Sequence, residues 1–98
     1  MKPSVRTPLP GPKAWALLER GERVLSPSYV RPYPFVPARG QGAFLEDVDG
    51  NLFLDFMSGI AVNTTGYAHP KVVEAVRAQA ERFAHVCFSD FTHEPTLS

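Results

Sequence analysis

Three aspartates surround a glycine near the middle of the chain, and carboxylates at this density can bind calcium or transfer protons. They are Asp47, Asp49 and Asp55, and Gly50 follows the second of them. A calcium loop of the EF-hand type that started at Asp47 would need glycine at position six and glutamate at position twelve. Glycine is fourth here and Ser58 is twelfth, so the spacing excludes that loop.

A catalytic carboxylate pair is also disfavoured. Asp47 and Asp49 lie in or beside a turn, where we expect solvent to keep both ionised. Asp55 lies in the apolar run "LFLDF", and no neighbour in the sequence is an obvious partner for proton transfer. We therefore expect Asp55 to accept hydrogen bonds from nearby loop amides.

Histidine and cysteine offer a third kind of chemistry. His69, His85, Cys87 and His93 match no zinc spacing, so no metal site is predicted. Cys87 closes the apolar stripe of a predicted helix, which predicts a buried and unreactive thiol. The residues by themselves therefore indicate no catalytic group.

The elements that would position these residues can be read from the apolar pattern. Residues 43–48 and 52–56 are strand-like, and Asp49-Gly50 between them predicts a hairpin with a two-residue turn. Positive φ is then needed at both turn residues. Gly50→Val is expected to be destabilising, and Asp49→Asn nearly silent. Residues 57–70 are rich in small residues and are expected to form a loop that approaches another group closely.

Two helices are predicted. The first starts near Pro12 and ends at Gly21. The second covers "HPKVVEAVRAQAERFAHVCF" from His69 to Phe88 and carries an apolar stripe at helical spacing. Residues 1–10 are expected to be an extended, poorly ordered arm. The Pro-rich, aromatic segment 26–39 is expected to lie extended across a surface.

Composition limits the remaining possibilities. The chain has 98 residues with ten basic and ten acidic side chains, so it forms one small domain at most, and no nucleic-acid partner is indicated. Basic residues predominate in residues 1–39, with seven Lys or Arg against two acids. No apolar run is long enough to span a membrane, and one cysteine cannot form an internal disulfide. We therefore expect a cytoplasmic protein without a membrane partner.

The run from Arg39 to Pro95 resembles the N-terminal part of class III aminotransferases, pyridoxal-phosphate enzymes of fold type I. The matching motifs are "DVDGN" at 47–51, "LDF" at 54–56, "SGIAV" at 58–62 and "GYAHP" at 66–70. "HVCF" at 85–88 and Glu94-Pro95 resemble the 4-aminobutyrate branch. "PGPKA" at 10–14 resembles a broad-specificity branch that also contains amino-acid racemases.

The resemblance implies an α/β fold of the pyridoxal-phosphate transferase type. Residues 1–39 would be an N-terminal arm, and residues 40–98 the N-terminal part of the small domain. It also implies a cofactor, pyridoxal 5'-phosphate, in the full-length enzyme. The family's Schiff-base lysine and cofactor-binding residues lie further along its chains. The 98 residues are therefore expected to be an N-terminal fragment that neither binds the cofactor nor catalyses transamination.

Two site residues carry over from the resemblance. Ile60 matches the family residue that lines the substrate pocket, and Ser89 matches a polar position near the same pocket. The implied reaction moves an amino group from an ω-amino acid such as 4-aminobutyrate to a 2-oxo acid, in a homodimer or larger oligomer. Tyr67 departs from the more usual histidine and resembles the racemase branch. An amino-acid racemase and a stand-alone interaction module therefore stay open as alternatives.

Overall fold

The computed structural model describes all 98 residues. Its elements are α1 Pro12–Val24, β1 Pro37–Gln41, β2 Phe44–Asp47, β3 Leu52–Leu54, the short left-handed turn α2 Ser58–Ala61, α3 Pro70–Ala80 and α4 Glu94–Leu97. The three strands form one antiparallel sheet in the order β1-β2-β3, which is also the chain order. Gly40 of β1 pairs with Leu45 of β2, and Leu45 pairs in turn with Phe53 of β3.

β2 and β3 form the predicted hairpin, but the turn is longer than predicted. The amide of Asp47 donates to the carbonyl of Asn51 at 2.9 Å, so three residues lie between the closing pair. Gly50 has a φ of 85°, whereas Asp49 does not have a positive φ. The cause is the Asp47 carboxylate, which accepts hydrogen bonds from the amides of Asp49 and Asn51 at 2.9 and 2.8 Å. This side-chain turn requires left-handed backbone only at the glycine.

The first residues are docked on the sheet, so the prediction of a poorly ordered arm was wrong. Ser4 and Leu52 exchange two backbone hydrogen bonds of 2.8 Å each. The amides of Arg6 and Thr7 donate to Oδ1 of Asn51 at 2.7 and 3.1 Å. An edge strand such as β3 leaves backbone groups free for a further segment, and the arm takes that place.

α1 begins at Pro12, as predicted, but it continues through Gly21 to Val24. The amide of Leu25 donates to the carbonyl of Gly21 at 2.9 Å, so the ladder extends a full turn past the glycine. At the other end the two carboxylate oxygens of Asp49 accept hydrogen bonds from the amides of Lys13 and Ala14, both at 2.9 Å. An acceptor from the hairpin turn thus caps the helix.

α3 starts at Pro70, as predicted, but ends at Ala80 rather than continuing to Phe88. The amides of Arg82 and Phe83 both turn back to the carbonyl of Gln79, and the Gln79 side chain donates to the Phe83 carbonyl at 3.2 Å. The Arg82 amide thus donates to a carbonyl three rather than four residues back, and the Gln79 side chain occupies the Phe83 carbonyl that a further helical turn would use. The apolar stripe is therefore divided between the helix and the irregular segment after it.

Very little of the chain is buried. Only four residues are buried, and all of them lie where the arm, α1 and the hairpin turn meet: Gly11, Ala14, Asp47 and Asn51. The accessible area of 8218 Å² far exceeds the roughly 5,500 Å² expected of a compact protein of this mass. The radius of gyration is 17.2 Å, against about 13 Å for a compact domain. No helix is long and apolar enough to cross a bilayer.

Candidate functional site

Asp55 anchors the loop that follows the hairpin. Its carboxylate accepts hydrogen bonds from the amides of Met57 and Ser58 at 2.7 and 3.1 Å, which is the role that the sequence predicts. A third hydrogen bond comes from the hydroxyl of Tyr67, twelve residues further along the chain. The side chain of Asp55 therefore joins the two ends of the segment between β3 and α3.

Tyr67 is itself fixed by the backbone beneath it. Its amide and carbonyl exchange hydrogen bonds of 2.8 and 3.0 Å with Gly42, at the link between β1 and β2. Its ring lies against Gly40, where a Cβ atom would come within 2.6 Å of the ring. A Cβ on Gly66 would lie 3.1 Å from the Cα of Gly42. Any side chain at Gly40 would thus displace the ring and the hydroxyl that it presents to Asp55.

The hydrogen bond from Tyr67 to Asp55 separates the pKa values of the two groups. It is the main cause that lowers the pKa of Asp55 below the ordinary 3.8. The same bond raises the pKa of Tyr67 above the ordinary 10.0, and burial and the negative charge of Asp55 act in the same direction. Acid-base catalysis near neutral pH needs a pKa close to neutrality, so this pair is suited to holding structure.

The pH range of this contact follows from those directions. A carboxyl with a depressed folded pKa contributes stability above its unfolded pKa and loses it as the pH falls through the folded value. A phenol with a raised folded pKa contributes stability below its unfolded pKa and loses it as the pH rises through the folded value. The contact is therefore complete from about pH 4 to about pH 10.

Ile60 lies in a left-handed turn between the two ends that Asp55 joins. Ser58, Gly59, Ile60 and Ala61 have φ values of 52°, 64°, 61° and 60°. Left-handed helix costs about 1–2 kcal/mol for each residue with a Cβ, and a β-branched residue such as isoleucine rarely adopts it. The Ile60 side chain is 81% exposed. The loop thus presents an apolar side chain to solvent from a strained backbone.

Ser89, the other predicted site residue, lies elsewhere in the chain. It is an exposed residue in the turn between α3 and α4, where the Cys87 carbonyl accepts from the amides of Asp90 and Phe91 at 3.0 and 2.9 Å. No hydrogen bond connects Ser89 to Ile60. The structure of these residues therefore does not bring the two predicted site residues into one hydrogen-bonded group.

Cys87 is exposed, and the prediction of a buried thiol was wrong. The reason is the early end of α3, which leaves Cys87 outside the helix. His69 accepts a hydrogen bond from the amide of Lys71 at 3.3 Å and so caps α3. The His93 ring contacts Phe83 and Phe88 edge to face. No three His, Cys, Asp or Glu side chains lie close enough together to hold a metal ion.

The carboxylates of the hairpin turn have a structural role. We call the group formed by Thr7, Asp47, Asp49 and Asn51 the polar hub. Asp47 is 3% exposed, so the expectation that solvent keeps it ionised was wrong. Burial favours a raised pKa, but hydrogen bonds from the side chain and amide of Asn51 and from the amides of Asp49 and Gly50 lower it. Protein donors thus replace water around the charge.

Sequence reasoning missed three of these contacts. It did not assign the Tyr67 hydroxyl to Asp55, Asp49 to the start of α1, or Asn51 to the arm. Each contact joins residues at least 12 positions apart. The available signals were a tyrosine where the family pattern has a histidine and a Gly-Pro pair without a cap residue at the start of α1. Neither signal names the distant partner.

Three comparisons relate the chain to known proteins. A family model described as Aminotransferase class-III matches residues 25–98. An alanine/serine racemase of Pyrococcus horikoshii is 49% identical over 92 residues, which are 93% of this chain and 19% of the relative. A 4-aminobutyrate aminotransferase of Mycobacterium tuberculosis is 45% identical over 82 residues, 84% of this chain and 18% of the relative.

A solved structure agrees with these relatives. The acetylornithine aminotransferase of Elizabethkingia anophelis superposes with a TM-score of 0.70 at 33% identity. The match covers 83% of this chain and 21% of that one. The chain therefore spans about a fifth of the length of the proteins that it matches.

Proposed function

Because the chain belongs to the class III aminotransferase family, whose members are pyridoxal-phosphate enzymes of fold type I, we propose that it forms the N-terminal part of an aminotransferase. The complete enzyme would move an amino group from an ω-amino acid, such as 4-aminobutyrate, to a 2-oxo acid. The observation that carries this proposal is the family match over residues 25–98, which includes the Ile60 loop.

The residues of this chain do not fit the cofactor by themselves. Pyridoxal phosphate supplies an aldehyde that takes up the amino group, and it needs a lysine with a neutral amine to hold it. Burial or a nearby cation provides such a lysine. Lys2, Lys13 and Lys71 are all exposed. We therefore derive no catalytic step from these residues, and we expect the 98-residue chain alone to be inactive.

We assign Ile60 the role of contacting the substrate chain. Its 81% exposed side chain stands on a loop whose ends Asp55 holds, so it is available to a molecule that approaches from solvent. An aliphatic side chain at this place fits the methylene groups of an ω-amino acid. Ser89 is proposed as a polar residue near the same substrate, with its exposed hydroxyl as the contacting group.

A racemase is the second candidate function. The relative from Pyrococcus horikoshii is named an alanine/serine racemase, and its match covers 93% of this chain. A racemase removes and returns the α-proton of one amino acid without passing the amino group to a second substrate. The two reactions therefore differ in whether a 2-oxo acid is consumed.

The exposed apolar side chains favour assembly of the complete enzyme. Trp15, Tyr33 and Val30 are 58%, 67% and 86% exposed. Large apolar side chains exposed in this way favour a surface that another part of the protein covers. We propose that such surfaces are covered in a homodimer or larger oligomer in the cytoplasm. A stand-alone interaction module would instead unfold cooperatively as a monomer of 98 residues, and calorimetry distinguishes the two.

Kinetics of the complete protein that contains these residues test the proposal. The wild type is assayed with 4-aminobutyrate, ornithine and acetylornithine as amino donors to 2-oxoglutarate, and with L-alanine and L-serine for racemisation. Ile60→Tyr is expected to change the ratio of kcat/KM between donors about ten-fold or more, with cofactor content unchanged. Glu22→Tyr places the same ring on an exposed polar site of α1, outside the loop, and is expected to leave the ratios unchanged.

Each result has a distinct meaning. Unchanged ratios in Ile60→Tyr would remove Ile60 from the site. Racemisation without consumption of 2-oxoglutarate would replace the aminotransferase proposal by the second candidate. Transamination by the 98-residue chain alone would contradict the assignment of the cofactor-binding residues to other parts of the enzyme.

A further inference from the structure

The hydroxyl of Tyr67 is the one contact by which the far end of the Ile60 loop reaches Asp55. From this geometry we propose that Tyr67 is a positioning residue for substrate recognition, which acts through Asp55 on the left-handed turn that carries Ile60. This inference rests on the proposed function, because it concerns the same substrate contact. It adds a residue that lies seven positions from Ile60 and that the resemblance does not assign to the pocket.

The Ile60 turn needs a restraint from outside its own residues. Its three non-glycine residues, Ser58, Ile60 and Ala61, all have positive φ. Such a turn is unfavourable for L-residues, so it persists only where the surroundings hold it. Backbone hydrogen bonds from the amides of Ala61, Val62 and Asn63 close the turn but do not connect it to the sheet, and the Ile60 side chain is mostly exposed.

Asp55 provides this restraint at the start of the turn. Its two carboxylate oxygens each accept from one amide, of Met57 and of Ser58, which fixes the backbone just before Gly59. The same Oδ2 atom that accepts from Ser58 also accepts from the Tyr67 hydroxyl. The rotamer of the Asp55 carboxylate is therefore set from both sides.

Both the backbone and the ring of Tyr67 are fixed by the residues around them. Paired hydrogen bonds to Gly42 fix its backbone, and the close approach of its ring to Gly40 fixes its side chain. Tyr67 therefore fixes the orientation of the Asp55 carboxylate, and with it the Ile60 turn, relative to the sheet. A side chain without the hydroxyl would leave the ring in place and remove this link, together with the hydrogen bond that the hydroxyl accepts from the Asn63 side chain.

Amide exchange in the complete protein, freed of cofactor and without substrate, tests the link. In Tyr67→Phe the amides of Met57 and Ser58 are expected to exchange about ten-fold faster, the lower range for loss of a hydrogen bond to a charged group. Tyr33→Phe removes a hydroxyl from an exposed ring that makes no described hydrogen bond, and it is expected to leave these amides unchanged. Unchanged exchange in Tyr67→Phe would overturn the proposal.

Kinetics of the complete enzyme test the positioning role. Tyr67→Phe is expected to change the donor ratios of kcat/KM about three- to ten-fold, mainly through KM, with cofactor content unchanged. In an Ile60→Ala background the same substitution is expected to have little further effect on those ratios, because Tyr67 acts through Ile60. A merely structural role predicts equal effects in both backgrounds, and that result would overturn the inference.

Failure of the proposed function looks different. If the wild type processes none of the amino donors and racemises neither alanine nor serine, the proposed function itself is wrong, and the positioning role is overturned with it. If the wild type is active and Tyr67→Phe has normal donor ratios, only the positioning role is overturned.

Discussion

The polar hub and α3 show two different ways in which segments of this chain are held. At the hub, the arm binds Asn51 and the start of α1 binds Asp49, and the two buried residues of the hairpin turn, Asp47 and Asn51, are 3% and 0% exposed. α3 contains no buried residue, and its apolar side chains Val72 and Val76 are 48% and 62% exposed. The polar hub is held by hydrogen bonds within this chain, whereas α3 has an apolar face without a partner in this chain.

The difference shows that hydrogen bonds can fix a region that buries almost no apolar surface. Every buried polar side-chain atom has a partner, so the hub does not bear the cost of unsatisfied groups. Asn51 alone accepts from two amides and donates to Thr7 and Asp47. α3 instead depends on burial of its apolar stripe, as amphipathic helices generally do.

Asn51→Ala should give the largest effect, because it removes four hydrogen bonds at the centre of the polar hub. It removes the side-chain donor to Oδ2 of Asp47 and the acceptor of the Arg6 and Thr7 amides, which is expected to cost about 3 kcal/mol of local stability. Amide exchange of residues 4–14 in the complete protein measures this loss. Gln41→Ala removes an exposed side-chain amide and serves as the control. A loss below about 1 kcal/mol would contradict the central role of Asn51.

Asp49→Ala should have a smaller effect, confined to α1. It removes the carboxylate that caps the helix, at an expected cost of about 1–2 kcal/mol. Asp49→Asn keeps one acceptor and is expected to lose about half of that, so the sequence-based expectation of a nearly silent change is corrected. Exchange of the Lys13 and Ala14 amides measures the effect. Asp90→Ala removes an exposed carboxylate without a described hydrogen bond and should change nothing.

Val76→Ser should have the smallest effect, and it tests whether the apolar face of α3 is uncovered in solution. The side chain is 62% exposed, so its replacement is expected to change the stability of the 98-residue chain by less than about 0.5 kcal/mol. Exchange of the α3 amides, with sedimentation to follow association, provides the measurement. A loss above about 1 kcal/mol would mean that this face is already covered in solution, and the two regions would then be alike.

The local elements were largely predictable. The hairpin strands β2 and β3, the start of α1 at Pro12, the start of α3 at Pro70 and the role of Asp55 toward its loop amides follow from turn residues, proline and apolar spacing, whereas the edge strand β1 was not predicted. The ends of both helices were not. The apolar stripe extends beyond Ala80, and only the turn around Gln79 ends the helix there.

What the sequence determined by itself is the hairpin, the starts of α1 and α3 and the family, because these depend on short-range patterns that are present in the residues. Tertiary structure alone decided which side chains meet: Asn51 with the arm, Asp49 with α1, and Tyr67 with Asp55. These contacts join residues 12 to 45 positions apart. Their partners depend on how the chain folds back over the sheet, and no local propensity encodes that path. For the same reason the exposure of Cys87 followed from the end of a helix rather than from its own surroundings in the sequence.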